Sequence, residues 1–344
     1  METNQPFEVG QANIKVIGVG GAGNNMVSWL YKKGIKGAEI IACNTDIQHL
    51  NITEADRKFV LGRDLTKGLG CGGFPEKGAE AAKEAINDIK DALKGSDLVL
   101  ICAGMGGGTG TGAAPVIAKA AKDTGAIVLG TVTMPFKIER ARVDKAEFGL
   151  QQLRQVSDTV IVIDNNRLVS IAGNLPVQQA FAVANELVST MIKGIVETIA
   201  VPSLVNLDYA DVRAIMTNGG VAAIGVGASD TNNRVEEAVN GALSNPLLDI
   251  SYKGATGALI HVIGGPDMTL DEINRAGELI TESLDDDANV IWGARVQEDM
   301  KGKLTVMTII TGVKSPWILG KVQERHISPQ VQEISDELGI EIVR

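Results

Sequence analysis

Aromatic residues are few: three Trp, three Tyr and six Phe make up 3% of the 344 residues, against a hydrophobic share of 44%. The core must therefore be mostly aliphatic and alanine, the composition of sheets covered by helices. Cysteine is scarcer still. Cys43, Cys71 and Cys102 are odd in number, far apart, and show neither CxxC spacing nor a histidine in a zinc pattern. That excludes a disulfide framework and a cysteine zinc site, and the three read as small buried or loop residues in a reducing compartment. Basic charge has no surplus either, since 32 Lys and Arg against 42 Asp and Glu leave a net charge of −10. A general nucleic-acid binder needs the opposite balance, so no nucleic acid is expected as a partner. No uninterrupted apolar run approaches a membrane span, and the opening "METNQPFEVGQ" lacks a basic stretch followed by an apolar one. The expectation is a cytoplasmic protein without direct membrane insertion. The P-loop pattern G-x-x-x-x-G-K-[ST] is missing, and with it the P-loop lysine. His49, His261 and His326 stand apart from one another, so none is expected to bind metal or act as a base.

What is present is a regular alternation, in a chain long enough for two domains. "NIKVIGV" (13–19), "EIIAC" (39–43), "LVLICA" (98–103), "IVLGTV" (127–132) and "TVIVI" (159–163) are apolar without alternation, which suits strands buried on both faces. Helical spacing lies between them at 24–33, 76–93, 113–122 and 144–156. Strand and helix repeated in this way predict a parallel sheet with right-handed crossovers. Glycine-rich turns follow the strands, so the ligand edge is expected at their carboxyl ends. Over 177–199 apolar residues recur every three or four positions, the pattern of one long helix punctuated by Pro176 and Pro202. Beyond it, strands at 221–227, 257–264, 289–296 and 303–312 with helices near 232–243 and 269–284 predict a second, smaller α/β domain. "DDD" at 285–287 reads as a solvated turn.

"GVGGAG", Gly18 to Gly23, follows a strand and opens a helix, with Asp46 after the second strand. Alone this satisfies the dinucleotide fingerprint and supports an NAD-dependent oxidoreductase. A second run argues otherwise. "CAGMGGGTGTGAAP" (102–115) holds six glycines in the nine residues from Gly104 to Gly112, a costly arrangement in backbone entropy. It follows another strand and is expected to open a helix at Ala113, with Pro115 in its first turn. Its backbone N–H groups and the hydroxyls of Thr109 and Thr111 are the donors a concave anion site needs. A third cluster, "GLGCGGFPEKG" (68–78), also ends at a proline opening a helix. Several such loops on one sheet edge suit a chain of phosphates.

In these glycine runs the sequence resembles the tubulin and FtsZ family, and within it the FtsZ cell-division proteins. "GGGTGTG" (106–112) matches the family's phosphate-binding signature. "GVGGAGNN" (18–25), "NTD" (44–46), "GLGCGGFPEKG" (68–78), "PFKIERAR" (135–142), "NNRL" (165–168) and "NLDYADVRAIM" (206–216) follow in family order. The resemblance covers about residues 12 to 315. "DNNRL" and "NLPVQQAF" look more like the archaeal branch, and binding to adaptors through the long linker and terminal peptide of bacterial relatives is not expected.

The resemblance implies a GTP-binding domain over 12–175, a connecting helix over 176–202, a domain over 203–315 carrying a catalytic loop, and a tail over 316–344. It places Gly20, Gly21, Ala22, Gly23, Asn24, Asn25, Gly106, Gly107, Gly108, Thr109, Gly110 and Thr111 at the phosphates, with Asn44 and Asp46 beside them. Gly72 and Gly73 fall on the γ-phosphate side. Glu139 and Arg142 fall at ribose and phosphate, and Asn165, Phe181 and Asn185 at guanine. For Phe181, a place in the core is the plainer alternative. Mg²⁺ is expected with GTP or GDP, with no protein ligand assigned.

Asn206, Asp208 and Asp211 carry the catalytic expectation. Three-residue spacing puts both carboxylates on one side of a turn if a helix begins near Tyr209. Ordinary N-capping explains the same pattern. The resemblance implies instead that the three enter a neighbouring copy's pocket and polarise water there. The implied partner is the chain itself, head to tail in a filament at the division site, with division-site adaptors or a paralogue as further candidates. Two rival readings stay open: the oxidoreductase, and a polymerising nucleotide-binding subunit with little hydrolysis.

Overall fold

The computed structural model describes residues 12–201, 203–205, 207–217, 219–315 and 317. Along the chain run β1 (Ile14–Val19), α1 (Gly20–Lys33), β2 (Ala38–Asn44), α2 (Ile47–Ile52), β3 (Arg57–Val60), α3 (Arg63–Thr66), α4 (Pro75–Glu84), α5 (Ile86–Leu93), β4 (Leu98–Gly104), α6 (Thr109–Asp123), β5 (Ile127–Met134), α7 (Ala141–Val156), β6 (Thr159–Asp164), α8 (Asn165–Ala172) and α9 (Val177–Ala200). Then follow α10 (Tyr209–Met216), β7 (Gly220–Ser229), α11 (Arg234–Leu243), β8 (Gly257–Gly264), α12 (Leu270–Thr281), β9 (Asn289–Val296) and β10 (Leu304–Thr311).

One sheet of ten strands runs β3-β2-β1-β4-β5-β6-β7-β10-β8-β9. From β3 to β6 every pairing is parallel. β6 meets β7 through Thr159 and Val160 against Gly220 and Val221, and beyond this short junction β10 runs antiparallel to both β7 and β8. The apolar, non-alternating strands have the burial they imply. Ile14, Val16, Leu98, Leu100 and Cys102 face one core with α1 and α9, while Ile17, Val19, Val99, Ile101 and Ala103 face another with α4 to α7. Alternate residues of one strand thus serve two helix layers. All three cysteines are buried and free, and burial pushes the Cys43 and Cys102 thiols up to about 12.

Two boundaries differ from expectation. The helix expected over 76–93 is two helices, separated at Ala85. α6 begins at Thr109, four residues before Ala113, and Pro115 lies inside it. Close packing against α4 explains the early start: a Cβ on Gly112 would stand 1.9 Å from the Pro75 carbonyl oxygen, so only glycine fits at that helical position. Asp285 to Asp287 are exposed, as a solvated turn requires.

α9 is one helix of 24 residues with Pro176 as its N-cap; Pro202 lies outside the described residues, as does the tail from 318 onward and His326. α1 grips its first half: Trp29 Nε1 donates to Glu186 Oε2 at 2.7 Å, and Lys33 reaches both Glu186 and Thr190 Oγ1. These donors hold the Glu186 carboxyl below its ordinary range.

Candidate functional site

The register sets Gly18 beside Cys102 and Val19 beside Ala103. β1 and β4 therefore end level, and the loops that leave them emerge side by side. Between them, at the carboxyl ends of β1, β4, β5 and β6, lies a cavity of about 370 Å³. Gly21 and Ala22 of α1, Gly107 to Gly110 of the second glycine run, Glu139 and Arg142 beside α7, Asn165 at the start of α8 and Phe181 in α9 all line it. Two helices, α1 and α6, point their amino ends at this space, where unpaired N–H groups and the helix dipoles favour an anion.

The remaining glycines hold the loops in place. Gly20 has φ of 72°, and a Cβ there would meet the Gly110 nitrogen at 2.8 Å. Gly23 brings α1 onto β4, because a Cβ would lie 2.1 Å from the Cys102 carbonyl oxygen. Gly107 has nothing within 4 Å of the position a Cβ would take, so its open face is the cavity itself. Gly108 faces the third glycine loop instead, with the Cys71 Cβ 2.6 Å away. Gly72 and Gly73 sit in that third loop at φ of 59° and 78°, and Lys145 Nζ donates to the Gly73 carbonyl oxygen at 2.7 Å.

The two threonine hydroxyls both make hydrogen bonds to neighbouring loop residues. Thr111 Oγ1 accepts from the Gly106 N–H at 2.8 Å, and Thr109 Oγ1 shares a hydrogen bond with Thr45 Oγ1 at 2.7 Å. Both hydroxyls brace the loop, leaving its backbone N–H groups for a ligand. Arg142 pairs with Glu139 at 2.7 Å, and Glu139 Oε1 accepts from Phe136 N at 2.9 Å. Phe181 is 42% exposed and meets the Phe136 ring edge-on at 6.2 Å, so it forms a wall of the cavity and is not a core residue. Asn185, one turn further along α9, is half-buried and does not line the cavity; neither does exposed Asn25.

Asp46 caps α2, its Oδ1 accepting from His49 N at 3.1 Å. The carboxylate that supported an NAD site therefore has a local structural role. More telling are side chains around the first turns of α1 and α2. Asn24 is wholly buried, yet neither amide atom has a partner, and Asn44 Nδ2 and His49 Nδ1 are likewise unpartnered. Leaving such groups unsatisfied costs about 1–3 kcal/mol each, so these buried atoms call for a polar partner. Nothing in the sequence marked His49, whose partners are set by burial.

Asp208 and Asp211 lie elsewhere. Asp211 N donates to Asp208 Oδ1 at 2.8 Å and Asp208 N to Asp211 Oδ2 at 3.1 Å, a reciprocal cap on α10. α10 is tied to the amino ends of the central strands: Tyr209 Oη donates to the carbonyl of Asp97, just before β4, and Thr159 Oγ1, at the start of β6, donates to the Met216 carbonyl. The length of β4, seven residues at about 3.3 Å each, stands between them and the cavity. Asn206 lies outside the described residues. Among the described residues no cluster of three or more His, Cys, Asp or Glu forms a metal site, and no helix is long and apolar enough to cross a membrane.

A parallel sheet with glycine loops and helix amino ends at its carboxyl edge, continued into a second sheet region, defines a nucleotide-binding protein of the tubulin type. The family model of the tubulin/FtsZ GTPase domain matches residues 13–173, and that of the FtsZ C-terminal domain matches 220–314. The chain belongs to the tubulin/FtsZ GTPase family, within it to the FtsZ cell-division proteins, and its similar relatives are archaeal. It is 57% identical to Cell division protein FtsZ 2 of Methanocaldococcus jannaschii over 95% of this chain and 87% of the relative. The protein of the same name from Halobacterium salinarum (strain R1) is 51% identical over 96% of this chain and 84% of its own. An empty FtsZ dimer structure from M. jannaschii superposes with a TM-score of 0.83 at 44% identity, covering 93% of this chain and 96% of that one.

Proposed function

We propose that this chain binds GTP in the cavity and hydrolyses it only where a second copy docks against that face, so that copies add head to tail into a filament for cell division. The observation that supports this reading is that the glycine-lined cavity and the Asp208–Asp211 pair lie at opposite ends of the sheet. The phosphate loops stand at the carboxyl ends of the strands, and the Asp208–Asp211 pair at their amino ends. No single copy can bring them together, whereas stacking one copy on another does so at every contact. A contact of this heterologous kind, when it does not close into a ring, makes a filament.

In the proposed site the N–H groups of Gly107 to Gly110 and the amino end of α1 hold the phosphates, with Arg142 as the nearby cation. The Asn24 amide and the Asn44 Nδ2, which otherwise lack partners, supply further polar groups. Asn165 and Phe181 form the guanine end, with the Phe181 ring available for stacking and Asn185 one turn further along α9 behind them. Mg²⁺ bound with the nucleotide would supply charge neutralisation at the phosphates. Asp208 and Asp211 of the next copy, with Asn206, orient and polarise the attacking water; phosphoryl transfer requires mainly such positioning. In this reading 12–175 is the GTP-binding domain, α9 the connecting helix, and 203–315 the domain acting on the neighbour, working in the cytoplasm at the division site.

The test is GTP hydrolysis per subunit across a range of protein concentrations, with light scattering in the same samples and ATP and NAD as controls. The specific rate is expected to rise steeply above a threshold concentration together with scattering. A rate per subunit independent of concentration overturns the shared active site.

A further inference from the structure

The segment between α9 and α10 is seated on the outer edge of β9 by three contacts of different kinds. Val205 N donates to the Ala294 carbonyl at 3.0 Å, and Ala294 N to the Val205 carbonyl at 3.2 Å, a one-residue antiparallel bridge. Beside it, Leu207 is buried over Gly293: a Cβ on Gly293 would lie 2.6 Å from Leu207 Cγ and 2.9 Å from the Val205 carbonyl oxygen. On the other side is Arg295, a 6% exposed arginine with no carboxylate partner among the described residues. Its Nη2 donates to the carbonyls of Glu197 at 2.6 Å and Val201 at 3.1 Å, and its Nε to Ser203 Oγ at 3.2 Å. The guanidinium thus closes the carboxyl end of α9, where last-turn carbonyls and the helix dipole favour a cation. At the same time it grips Ser203, in the loop that leads to Asp208.

We propose that Gly293, Ala294 and Arg295 form the seat that fixes the acid-bearing loop, with Arg295 a positioning residue that sets where Asp208 is presented to the next copy. The inference rests on the reading that Asp208 acts on a neighbour's nucleotide. Arg295 touches neither nucleotide nor water; it works through the loop. The planar fork is essential, because a lysine offers one compact ammonium where three acceptors are spread over α9 and Ser203.

The test compares the full-length chain carrying Arg295→Lys, Gly293→Ala, Gly293→Ala with Leu207→Ala, and Asp208→Ala. GTP affinity is measured below the assembly threshold, and kcat and KM per pelleted subunit above it. Arg295→Lys and Gly293→Ala are expected to lower kcat about tenfold or more while KM, affinity and GTP-dependent pelleting stay within about twofold. Trimming Leu207 removes the contacts with its Cγ and Cδ1 and leaves only the Val205 carbonyl oxygen close to the new methyl, so the double variant is expected to recover part of the loss, which a general weakening of the fold would deepen instead. Wild-type kcat in both single variants, with Asp208→Ala inactive, overturns the seat and leaves the shared site standing. Wild-type kcat in Asp208→Ala removes the shared-site reading and the seat with it. Should Arg295→Lys lose GTP binding through misfolding, the Gly293–Leu207 pair decides alone.

Discussion

The Tyr209 hydroxyl donates to the Asp97 carbonyl oxygen at 2.8 Å, spanning 112 positions of sequence. It ties the first turn of α10 to the residue that precedes β4, and so fixes the proposed catalytic acids to the floor of the sheet whose opposite rim holds the cavity. Tyr209→Phe keeps the ring and removes the bond, leaving a carbonyl unpaired. Stability in urea is expected to fall by about 1 kcal/mol. Turnover per assembled subunit is expected to fall while GTP affinity holds. Unchanged stability together with unchanged turnover would show that the bond is not a tether.

Asp208→Ala and Asp211→Ala separate capping from catalysis. Each breaks the reciprocal cap, at a cost of about 1 kcal/mol, and that loss is expected in both variants as a lower denaturation midpoint. GTP binding is expected to stay near wild type, turnover to vanish, and filaments to persist because the nucleotide between copies is no longer cleaved. Loss of GTP binding in either variant would refute their assignment to a neighbour's pocket.

The strands were legible because burial on both faces leaves a run of apolar residues without alternation. Each of the nine expected strands lies within two residues of its observed limits, and the long helix expected at 177–199 is Val177–Ala200. β3 was not legible: its first residues, Arg57 and Lys58, are exposed on the sheet edge and carry no pattern. α6 was misjudged at its start because a glycine pair that reads as loop is wound into helix by packing against α4. The glycine loops that border the cavity could be read from glycine spacing alone. The unpartnered Asn24 amide and Asn44 Nδ2 and the grip of Arg295 on Glu197 could not, because long-range packing sets them.

The cavity-facing and loop-facing glycines give opposite patterns on substitution. Gly107→Val puts a side chain into open cavity, so GTP affinity is expected to fall at least tenfold with the melting temperature nearly unchanged. Gly108→Val drives its Cβ against Cys71 and the Phe74 backbone, displacing the third glycine loop. Affinity is expected to fall there too, but with a loss of roughly 1–3 kcal/mol in stability from overpacking. The pair of measurements, binding and melting in each variant, would fail the loop assignment if Gly107→Val bound GTP normally.

His261 gives a pH signature independent of nucleotide. It is buried with Thr198 Oγ1 at 2.9 Å from Nδ1 and Ser203 Oγ at 3.4 Å from Nε2, while Arg295 stands nearby. Burial, with the Arg295 charge as the smaller cause, lowers its pKa from 6.5 to about 4. Above pH 6.5 the ring is neutral in both folded and unfolded chains and contributes no slope. As pH falls from 6.5 toward 4 the unfolded chain takes up a proton that the folded chain refuses, so stability drops, by up to about 1.4 kcal/mol per pH unit. His261→Gln retains a polar side chain and removes that proton uptake. Melting temperatures at pH 7 and pH 5 are therefore expected to differ less in the variant than in the wild type, measured without GTP so that binding does not enter. An equal fall in both would mean that the His261 ring is protonated in the folded protein, and that the junction of α9 with the acid-bearing loop is open to water.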